Sequence, residues 1–300
     1  MYLYAHKKST IYKGFSLAIA AAILWGVSGT LAQFLFQKRE INVEWLITVR
    51  MLLSGICLLS FAKTSERAPI FKIWKTKNDR LQLLAFSIFG MLAVQYTYFA
   101  AIKHSNAATA TVLQYAGPII IAIYLAFKHK RLPSLLELFA IILAIIGTFL
   151  LVTNGNINTL AISNTALFFG LGSAVALAIY TLMPITLLSK HKSSVVIGWS
   201  LLCGGIAFSF MKAPWDIQGV WDTKTYLFTA LIILFGTVFP FYFYLTSVKL
   251  IGGQKASLLA SAEPLSATFL AVSWLHVPFS LWDWIGTFCI IATVFILSKK

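Results

Sequence analysis

The sequence predicts an all-α integral membrane protein of ten transmembrane helices, arranged as two inverted five-helix repeats. The composition is 59% hydrophobic and 11% charged, whereas soluble domains carry about 25% charged residues. A soluble fold with a charged surface is therefore excluded. Two further observations support the prediction: long apolar runs recur along the whole chain, and one part of the chain matches another at a constant offset.

Each predicted helix is an apolar run long enough to cross the roughly 30 Å hydrocarbon layer of a bilayer. The first run follows Lys7, Lys8 and Lys13, which resembles the charged start of a signal peptide. Its apolar length is too great for a signal peptide and further spans follow, so we expect a retained first helix. The ten runs lie at 14–36, 45–62, 81–102, 107–127, 134–153, 164–188, 194–211, 225–248, 254–275 and 280–298.

The segments between these runs carry unequal positive charge. Eighteen of the 24 lysines and arginines lie in one alternating set, five lie in the other, and Arg50 lies within a run. The richer set comprises 1–13, 63–80, 128–133, 189–193, 249–255 and 299–300. Because cytoplasmic loops are enriched in lysine and arginine, we predict that both termini are cytoplasmic. The net charge of +15 then reflects topology and attraction to anionic lipid, not nucleic-acid binding.

An internal repeat appears when the chain is shifted by 146 residues. The matches are Phe89-Gly90 with Phe235-Gly236, Tyr96-Thr97-Tyr98 with Tyr242-Phe243-Tyr244, Lys103 with Lys249, Pro118 with Pro264, and 134–137 with 280–283. Helices three to five therefore correspond to helices eight to ten. Because each unit holds an odd number of helices, the second unit, 156–300, should be inverted relative to the first, 1–155. Inverted repeats are typical of secondary transporters, whose substrate sites lie where the repeats meet.

One acidic residue stands in the middle of a predicted helix. Glu263 lies centrally in the run 254–275, beside Pro264. An ionised carboxylate near the bilayer centre costs on the order of 3 kcal/mol or more, so it needs a partner or a wet cavity. Proline removes a backbone donor and clashes with the carbonyl four residues earlier, which frees or bends the local backbone. We expect a functional site here; the alternative is a helix-helix hydrogen bond beside a packing kink.

A family resemblance rests on a few short motifs in the expected order. They are Trp25-Gly26 in the first helix, Arg50 in the second and Glu263-Pro264 in the ninth. With ten helices in two inverted halves, they resemble the drug/metabolite transporter superfamily, in particular its EamA-type members, over nearly the whole chain. The resemblance implies a carrier in the plasma membrane of a bacterium or archaeon that typically exports amino acids or other small metabolites through a central cavity, with no ATP-binding domain. The first half has Gly117-Pro118 in place of Glu-Pro, so the halves need not line the cavity equally.

Polar and aromatic residues at mid-depth are the candidates for a substrate site. Lipid cannot satisfy their amides and hydroxyls, so these side chains should face the bundle interior. A tryptophan away from the membrane interfaces favours a cavity wall or tight packing. We predict that the site is lined by Trp25, Gln95, Tyr98, Gln114, Tyr115, Tyr180, Tyr244 and Glu263. Each of these side chains has helix packing as its alternative role.

A second group is predicted to gate the cavity or tether helices. It comprises Arg50, Tyr96, Tyr242, Pro118 and Pro264. Because helices three and eight run in opposite directions, Tyr96 should lie toward the outer face and Tyr242 toward the inner face. Arg50 lies about one and a half turns from the outer end of helix two, where it either snorkels to the interface or tethers a neighbouring helix. Capture of a substrate carboxylate is its third interpretation.

The sequence lacks the motifs that are typical of enzymes, of ATP-driven pumps and of channels. No His-Glu-x-x-His spacing or acid-base pair supports catalysis, and Gly252-Gly253-Gln254-Lys255 is not a phosphate-binding loop. A channel usually needs a filter or charged ring built from several copies. We therefore expect no enzyme activity, no metal and no cofactor.

The sequence thus predicts a secondary transporter that works by alternating access around a central aromatic cavity, with a small metabolite such as an amino acid as substrate. Organic cations, held by ring faces and Glu263, are the alternative substrate class. A ligand-binding scaffold that does not transport is the alternative function. Glu263 is also a candidate proton carrier, which would couple transport to the proton gradient. The expected partners are the substrate, a coupling proton or ion and membrane lipid; we expect a monomer or homodimer, and no nucleic acid.

Overall fold

The computed structural model describes residues 2–128, 130, 132, 134–156, 161–260 and 262–298. Within this part of the chain the regular structure is helical, and no β-strand occurs. Lys299 and Lys300, which contribute to the predicted charge asymmetry, lie outside the described residues, as does Arg131. The all-α membrane fold is confirmed.

Each predicted run coincides with a helix or with consecutive helical segments. The first-half helices are α1 (Tyr2–Lys38), α2 (Val43–Thr64), α3 (Lys77–Ala85, Phe86–Leu92 and Ala93–His104), α4 (Ala107–Gln114 and Gly117–Lys128) and α5 (Leu135–Thr153). The second-half helices are α6 (Asn164–Leu182 and Ile185–Lys190), α7 (Ser193–Ser209), α8 (Thr223–Ile233, Leu234–Val238 and Phe239–Ile251), α9 (Gly253–Leu259 and Ala262–Ser273) and α10 (Leu281–Ser298). A short 3₁₀ helix, Lys72–Trp74, precedes α3.

Over the residues that the structure describes, seven of these helices are long and apolar enough to cross a membrane. The other three, α5, α7 and α10, contain shorter apolar helices, Leu138–Leu151, Ser193–Ser209 and Leu281–Thr293. The number of ten spanning helices therefore stays a prediction for these three. Many of the exposed side chains are large and apolar, among them Ile145, Phe269 and Phe288, as a surface in contact with lipid requires.

Side-chain caps start the helices that begin at the end of the bundle bearing residues 39–42 and 212–222. Asn42, Asn106, Ser163 and Asp222 accept a hydrogen bond from the backbone N–H three residues ahead, at the starts of α2, α4, α6 and α8. These caps satisfy donors that a helix leaves free in its first turn. We call this end the outer face and the opposite end, with residues 63–80 and 189–193, the inner face, after the predicted orientation.

The helices of the two halves pack on each other in reciprocal pairs. α2 packs on α7, and α5 packs on α10. α1 packs against α8 and α9, while α6 packs against α3 and α4. The four helices α1, α3, α6 and α8 thus surround the centre of the bundle, and α4 and α9 close it.

Irregular backbone occurs at matching places in the two halves. π-helical segments interrupt α3 at Phe86–Leu92 and α8 at Leu234–Val238, positions that overlap after a shift of 146 residues. Gly236 in the second segment lies against Ser28 of α1, where any Cβ would overlap the serine side chain. The π segment and its glycine therefore bring α8 close to α1 next to the bundle centre.

Candidate functional site

The interrupted helices α4 and α9 meet at the centre of the bundle. α4 is broken at Tyr115 and Ala116, and α9 is broken after Leu259. Each break precedes a proline, Pro118 or Pro264, whose ring would clash with the carbonyl four residues earlier in a continuous helix. For Pro264 that carbonyl belongs to Ala260, which accepts a hydrogen bond from the Glu263 N–H at 3.0 Å and can accept a second one from a side chain.

Tyr115 supplies that hydrogen bond and joins the two breaks. Its hydroxyl donates to the Ala260 carbonyl and also lies 3.2 Å from Glu263 Oε2. Tyr115 is 1% exposed and Glu263 is 3% exposed. A residue in the break of one half therefore satisfies the carbonyl and the carboxylate presented by the break of the other half.

Glu263 lines a central cavity of about 40 Å³ built from both halves. That volume holds on the order of three water molecules. Its walls are Trp25, Ser28, Arg50, Val94, Gln95, Tyr98, Phe99, Gln114, Leu177, Tyr180, Gly236, Phe241 and Glu263. The cavity brings together six of the eight predicted lining residues; Tyr115 adjoins it through Glu263, and Tyr244 packs behind its wall.

Aromatic rings from α1, α6 and α8 form one side of this cavity. Trp25 lies 5.3 Å from Phe241 and 5.2 Å from Tyr244, measured between ring centroids. Tyr180 stacks on Tyr244 at 5.7 Å and meets Phe241 edge-on at 5.5 Å. Tyr244 also shares a 2.9 Å hydrogen bond with Thr181, whereas the Tyr180 hydroxyl has no hydrogen-bond partner among the described residues.

The opposite side of the cavity is polar. Tyr98 shares a 2.7 Å hydrogen bond with Thr111, which fixes its ring between α3 and α4. Gln95 donates to the Met91 carbonyl at 3.3 Å, and its Oε1 is buried without a partner in the described part of the chain. Gln114, 5% exposed, lies on the last turn before the break in α4. These groups leave hydrogen-bonding capacity facing the cavity.

Arg50 of α2 reaches into the same cavity. It is 3% exposed, so its guanidinium does not extend to the membrane interface. The guanidinium lies 4.3 Å from the ring centroid of Phe99. Its Nε and Nη1 have no hydrogen-bond partner within the described residues. The cavity thus contains a buried cation and, on another wall, the carboxylate of Glu263.

The predicted gating tyrosines lie away from the cavity. Tyr96 packs edge-on against Phe169 and Phe208, at 5.7 and 5.6 Å. Tyr242 donates a 3.2 Å hydrogen bond to Glu66 at the inner face. Pro118 and Pro264 are buried next to the two breaks. A gating role for these residues stays a prediction.

Sequence reasoning missed three cavity residues that carry aromatic or polar groups. Ser28 lies one helical turn after Trp25, Phe99 follows Tyr98, and Phe241 lies three residues before Tyr244. Helical spacing from Trp25 and Tyr244 was the available signal for Ser28 and Phe241. Phe99 carried none, because consecutive residues of a helix point in different directions.

Comparison with known proteins agrees with this architecture. The family model of the EamA-like transporter family matches the chain twice, at residues 12–153 and 164–299. The chain belongs to the EamA-like transporter family. It is 40% identical over 286 residues, 95% of either protein, to the uncharacterized inner membrane transporter YicL of Salmonella typhimurium.

Two more distant relatives are transporters by name. The chain is 25% identical over 295 residues to the uncharacterized transporter YwfM of Bacillus subtilis, covering 97% of this chain and 95% of the relative. It is 26% identical over 218 residues to an uncharacterized transporter of Archaeoglobus fulgidus, covering 73% and 76%. A solved crystal structure shares the fold, with a TM-score of 0.70 at 15% identity, covering 95% of this chain and 96% of that one. This EamA-like protein is therefore a multi-pass membrane protein of a transporter family.

The described residues of this EamA-like protein leave a wide opening at the outer face. A vestibule of about 700 Å³ lies between the outer ends of α1 and α5, the α3–α4 loop and the α9–α10 loop. Its walls include Gln33, Gln37, Lys38, Asn106, Thr109, Asn154, His276 and Asp283. Along α1, Ser28 of the central cavity and Gln33 of the vestibule are five residues apart, or about 7.5 Å. A short plug of protein therefore separates the vestibule from the cavity.

The inner face of this EamA-like protein is closed by contacts between its halves. Asp79 of α3 binds Lys190 at 2.7 Å and His191 at 3.0 Å, both at the C-terminal end of α6. Glu66 accepts hydrogen bonds from Ser194 and Tyr242. We call Glu66, Asp79, Lys190, His191, Ser194 and Tyr242 the inner cluster. Among the described residues, the outer face is therefore open at the vestibule and the inner face is closed at the inner cluster.

Proposed function

We propose that this protein is a secondary transporter that moves a small metabolite by alternating access around the central cavity. The observation that carries the proposal is the meeting of the two helix breaks, where Tyr115 contacts both Ala260 and Glu263. Interrupted helices at corresponding places in two halves, with polar groups between them, are typical of transporter substrate sites. A buried carboxylate at such a place binds substrate or a coupling ion.

An inverted repeat of residues 1–155 and 156–300 is part of the proposal. It is supported by breaks and π segments that recur 145 to 148 residues apart, and by two matches to one family model. The reciprocal packing of α1 on α8 and α9, and of α6 on α3 and α4, also supports it. Two halves related in this way can exchange conformations, which would turn an opening at one face into an opening at the other.

The size of the central cavity supports a moving carrier. At about 40 Å³ it is too small for a metabolite, since ligand pockets span roughly 300–1,000 Å³. The outer vestibule is large enough, and the inner cluster blocks the opposite exit. Substrate binding therefore requires the halves to move apart at the centre, and release to the other face requires the inner cluster to open.

We propose that both termini are cytoplasmic, because loops at the inner face carry the excess of lysine and arginine. We propose export from the cytoplasm because the EamA-type resemblance implies efflux. Amino acids are the leading substrate class. Organic cations are the alternative that Glu263 and the rings of Trp25 and Tyr180 support.

Counterflow in proteoliposomes tests the proposal. Purified protein is reconstituted into liposomes loaded with a mixture of amino acids and organic cations, and exchange for labelled external compounds is followed. We expect selective exchange by the wild type and at least tenfold slower exchange by Glu263→Gln, which keeps the side-chain shape and removes the charge. Glu44→Gln, at the outer start of α2, is the matched control. Binding without exchange by folded protein would overturn transport and favour a scaffold.

A further inference from the structure

The loop between α2 and α3 separates its acidic from its basic side chains. Residues 63–80 contain six lysines and arginines and two acids, Glu66 and Asp79. Both acids belong to the inner cluster and are engaged by residues of the second half. All six basic residues are exposed, and none has a side-chain hydrogen bond or an ion pair among the described residues. The loop therefore presents uncompensated positive charge on its exposed surface.

Contacts with α7 hold this loop in place. Trp199 of α7 donates a 2.8 Å hydrogen bond to the Ile70 carbonyl. The Trp199 ring lies 5.1 Å from the ring of Trp74 and 5.7 Å from that of Phe71, measured between centroids, and Ile73 is buried. Phe71 nevertheless stays 62% exposed. The loop is thus fixed by packing and still displays an aromatic ring beside its basic residues, a combination typical of segments that lie at a membrane surface.

The start of α3 extends the basic surface toward the bilayer. Lys77, Arg80, Leu81 and Leu84 are exposed, and their spacing of three, four and seven residues places them on one face of the helix. Both α2, which ends at Thr64, and α3 are long and apolar enough to cross a membrane. The bases therefore lie at the membrane surface, and the two leucines lie about one turn deeper on the same face.

Four basic residues come together at this place. The 3₁₀ helix Lys72–Trp74 packs against the first segment of α3, which brings the basic residues of both elements close to one another. We call these residues the basic cluster: Lys72, Lys75, Lys77 and Arg80. Ammonium and guanidinium groups bind phosphate oxygens through charge-assisted hydrogen bonds.

We propose that the basic cluster binds the phosphate group of an anionic phospholipid, with an acyl chain of that lipid along Leu81 and Leu84. The apolar face that continues below the bases matches a lipid, whereas a soluble phosphate or an acidic protein would leave these leucines unused. A zwitterionic lipid carries a cation beside its phosphate, and the basic cluster repels that cation. The inference goes beyond transport, because it assigns a ligand to the membrane surface and not to the central cavity.

Native mass spectrometry of the purified protein in detergent tests the site. The protein is titrated with phosphatidylglycerol or with phosphatidylcholine of the same acyl chains, and the fraction of lipid-bound protein is measured. We expect at least tenfold tighter binding of phosphatidylglycerol. A tenfold molar excess of glycerol phosphate over the lipid should not displace it, because the soluble compound lacks the acyl chain.

Matched variants separate a local site from attraction spread over the whole inner face. One lysine or arginine near an anionic surface contributes about fivefold in affinity, so changing the whole basic cluster to glutamine should abolish the preference for phosphatidylglycerol. Lys77→Gln/Arg80→Gln should show an intermediate loss. Arginine in place of the three lysines should keep the preference. The control variant removes the same number of charges from exposed lysines of other inner-face segments, by glutamine at Lys13, Lys130, Lys192 and Lys255, and should also keep it.

The outcomes bear on this inference separately from the proposed function. Equal binding of the two lipids by the wild type would overturn the site. An equal loss in the basic-cluster and control variants would replace it with unspecific attraction to the inner face. Displacement by glycerol phosphate would make the ligand a free phosphate and not a lipid. Because lipid binding is measured without transport, a protein that exchanges substrate but shows no preference for phosphatidylglycerol would contradict this inference alone.

Discussion

The Tyr115 hydroxyl donates to the Ala260 carbonyl and lies 3.2 Å from Glu263 Oε2. This contact joins the two interrupted helices, α4 and α9, at their breaks. Pro264 lacks the N–H that would bond to Ala260 in a continuous helix, and the Ala260 carbonyl accepts hydrogen bonds instead from the Glu263 N–H at 3.0 Å and from Tyr115. Disturbing this contact should therefore affect both stability and transport.

Tyr115→Phe should lower the free energy of unfolding by about 1–3 kcal/mol, because the buried Ala260 carbonyl and the buried Glu263 side chain each lose a hydrogen bond. Exchange should slow as well, since Glu263 loses a neighbour that orients it. The matched control is Tyr180→Phe, another fully buried tyrosine, whose hydroxyl has no partner among the described residues. The free energy of unfolding of both variants is measured by denaturation in detergent, and we expect the larger loss in Tyr115→Phe. Equal losses of stability would contradict the assigned role of Tyr115.

Gly26→Ala should disrupt the site by separating α1 from α9. A Cβ on Gly26 would overlap Ser266 Oγ and lie 2.9 Å from both the Glu263 carbonyl oxygen and the Ala267 nitrogen. Forcing a methyl group into such a contact costs about 1–3 kcal/mol. Unfolding and counterflow measurements should both report the change. Gly172→Ala is the control, because its nearest neighbour would be Thr97 Cγ2 at 3.8 Å; a similar defect there would argue against close α1–α9 packing as the cause.

Asp79→Asn should favour opening of the inner face. The variant removes the carboxylate that binds Lys190 and His191 across the two halves. A cysteine at Ser193, 6% exposed beside the inner cluster, should then react faster with a membrane-impermeant maleimide. If labelling occurs only after the inner face opens, a shift of about 1.4 kcal/mol in the opening equilibrium changes the labelling rate tenfold. Asp216→Asn breaks the Lys212–Asp216 pair within the second half and should leave the labelling rate unchanged.

Asp222→Asn should change how stability depends on pH. The Thr225 backbone N–H, the Thr225 hydroxyl and the Arg39 guanidinium lower the pKa of Asp222 from 3.8 to about 2. Because the folded pKa is the lower one, the stabilisation is present above about pH 4 and is lost as the pH falls toward 2. Wild type should therefore exceed the variant in thermal midpoint at pH 7, and the gap should shrink below pH 4. Because asparagine keeps an oxygen that can cap the helix, the variant removes only the charge. A difference in thermal midpoint that stays constant down to pH 2 would contradict the role of that charge.

The sequence alone predicted a disturbed backbone beside Glu263, because Pro264 disfavours the helix one turn earlier. It predicted the run 107–127 as one helix, so the break of α4 at Tyr115 and Ala116 is a finding of the structure. It also predicted the group of residues around Glu263, since polar side chains in apolar runs must turn inward. The hydrogen-bond partner of the Tyr115 hydroxyl could not be predicted from the sequence. That partner is a main-chain carbonyl of the other half, and no side-chain pattern marks a carbonyl.

The position of Arg50 shows a second limit. Its distance from the outer end of α2 is compatible with snorkelling, but residues of the other half cover that end. Trp45 donates to the Pro214 carbonyl at 2.8 Å, and Thr48 donates to the Lys212 carbonyl at 3.0 Å. The direction of the arginine therefore depends on contacts between distant segments. Asp79 was missed for a related reason: it lies in a charged loop region by sequence and becomes a bridge only when α6 ends beside it.

Alternating access is tested most directly by two distances measured in one membrane preparation. Spin labels replace Lys38 and His276 across the vestibule in one protein, and Asn78 and Lys192 across the inner cluster in another, after Cys57, Cys203 and Cys289 are replaced by serine. We expect conditions that shorten the Lys38–His276 distance, such as a saturating transported compound, to lengthen the Asn78–Lys192 distance. Unchanged distances during measurable exchange, or simultaneous opening of both faces, would contradict a carrier built on alternating access.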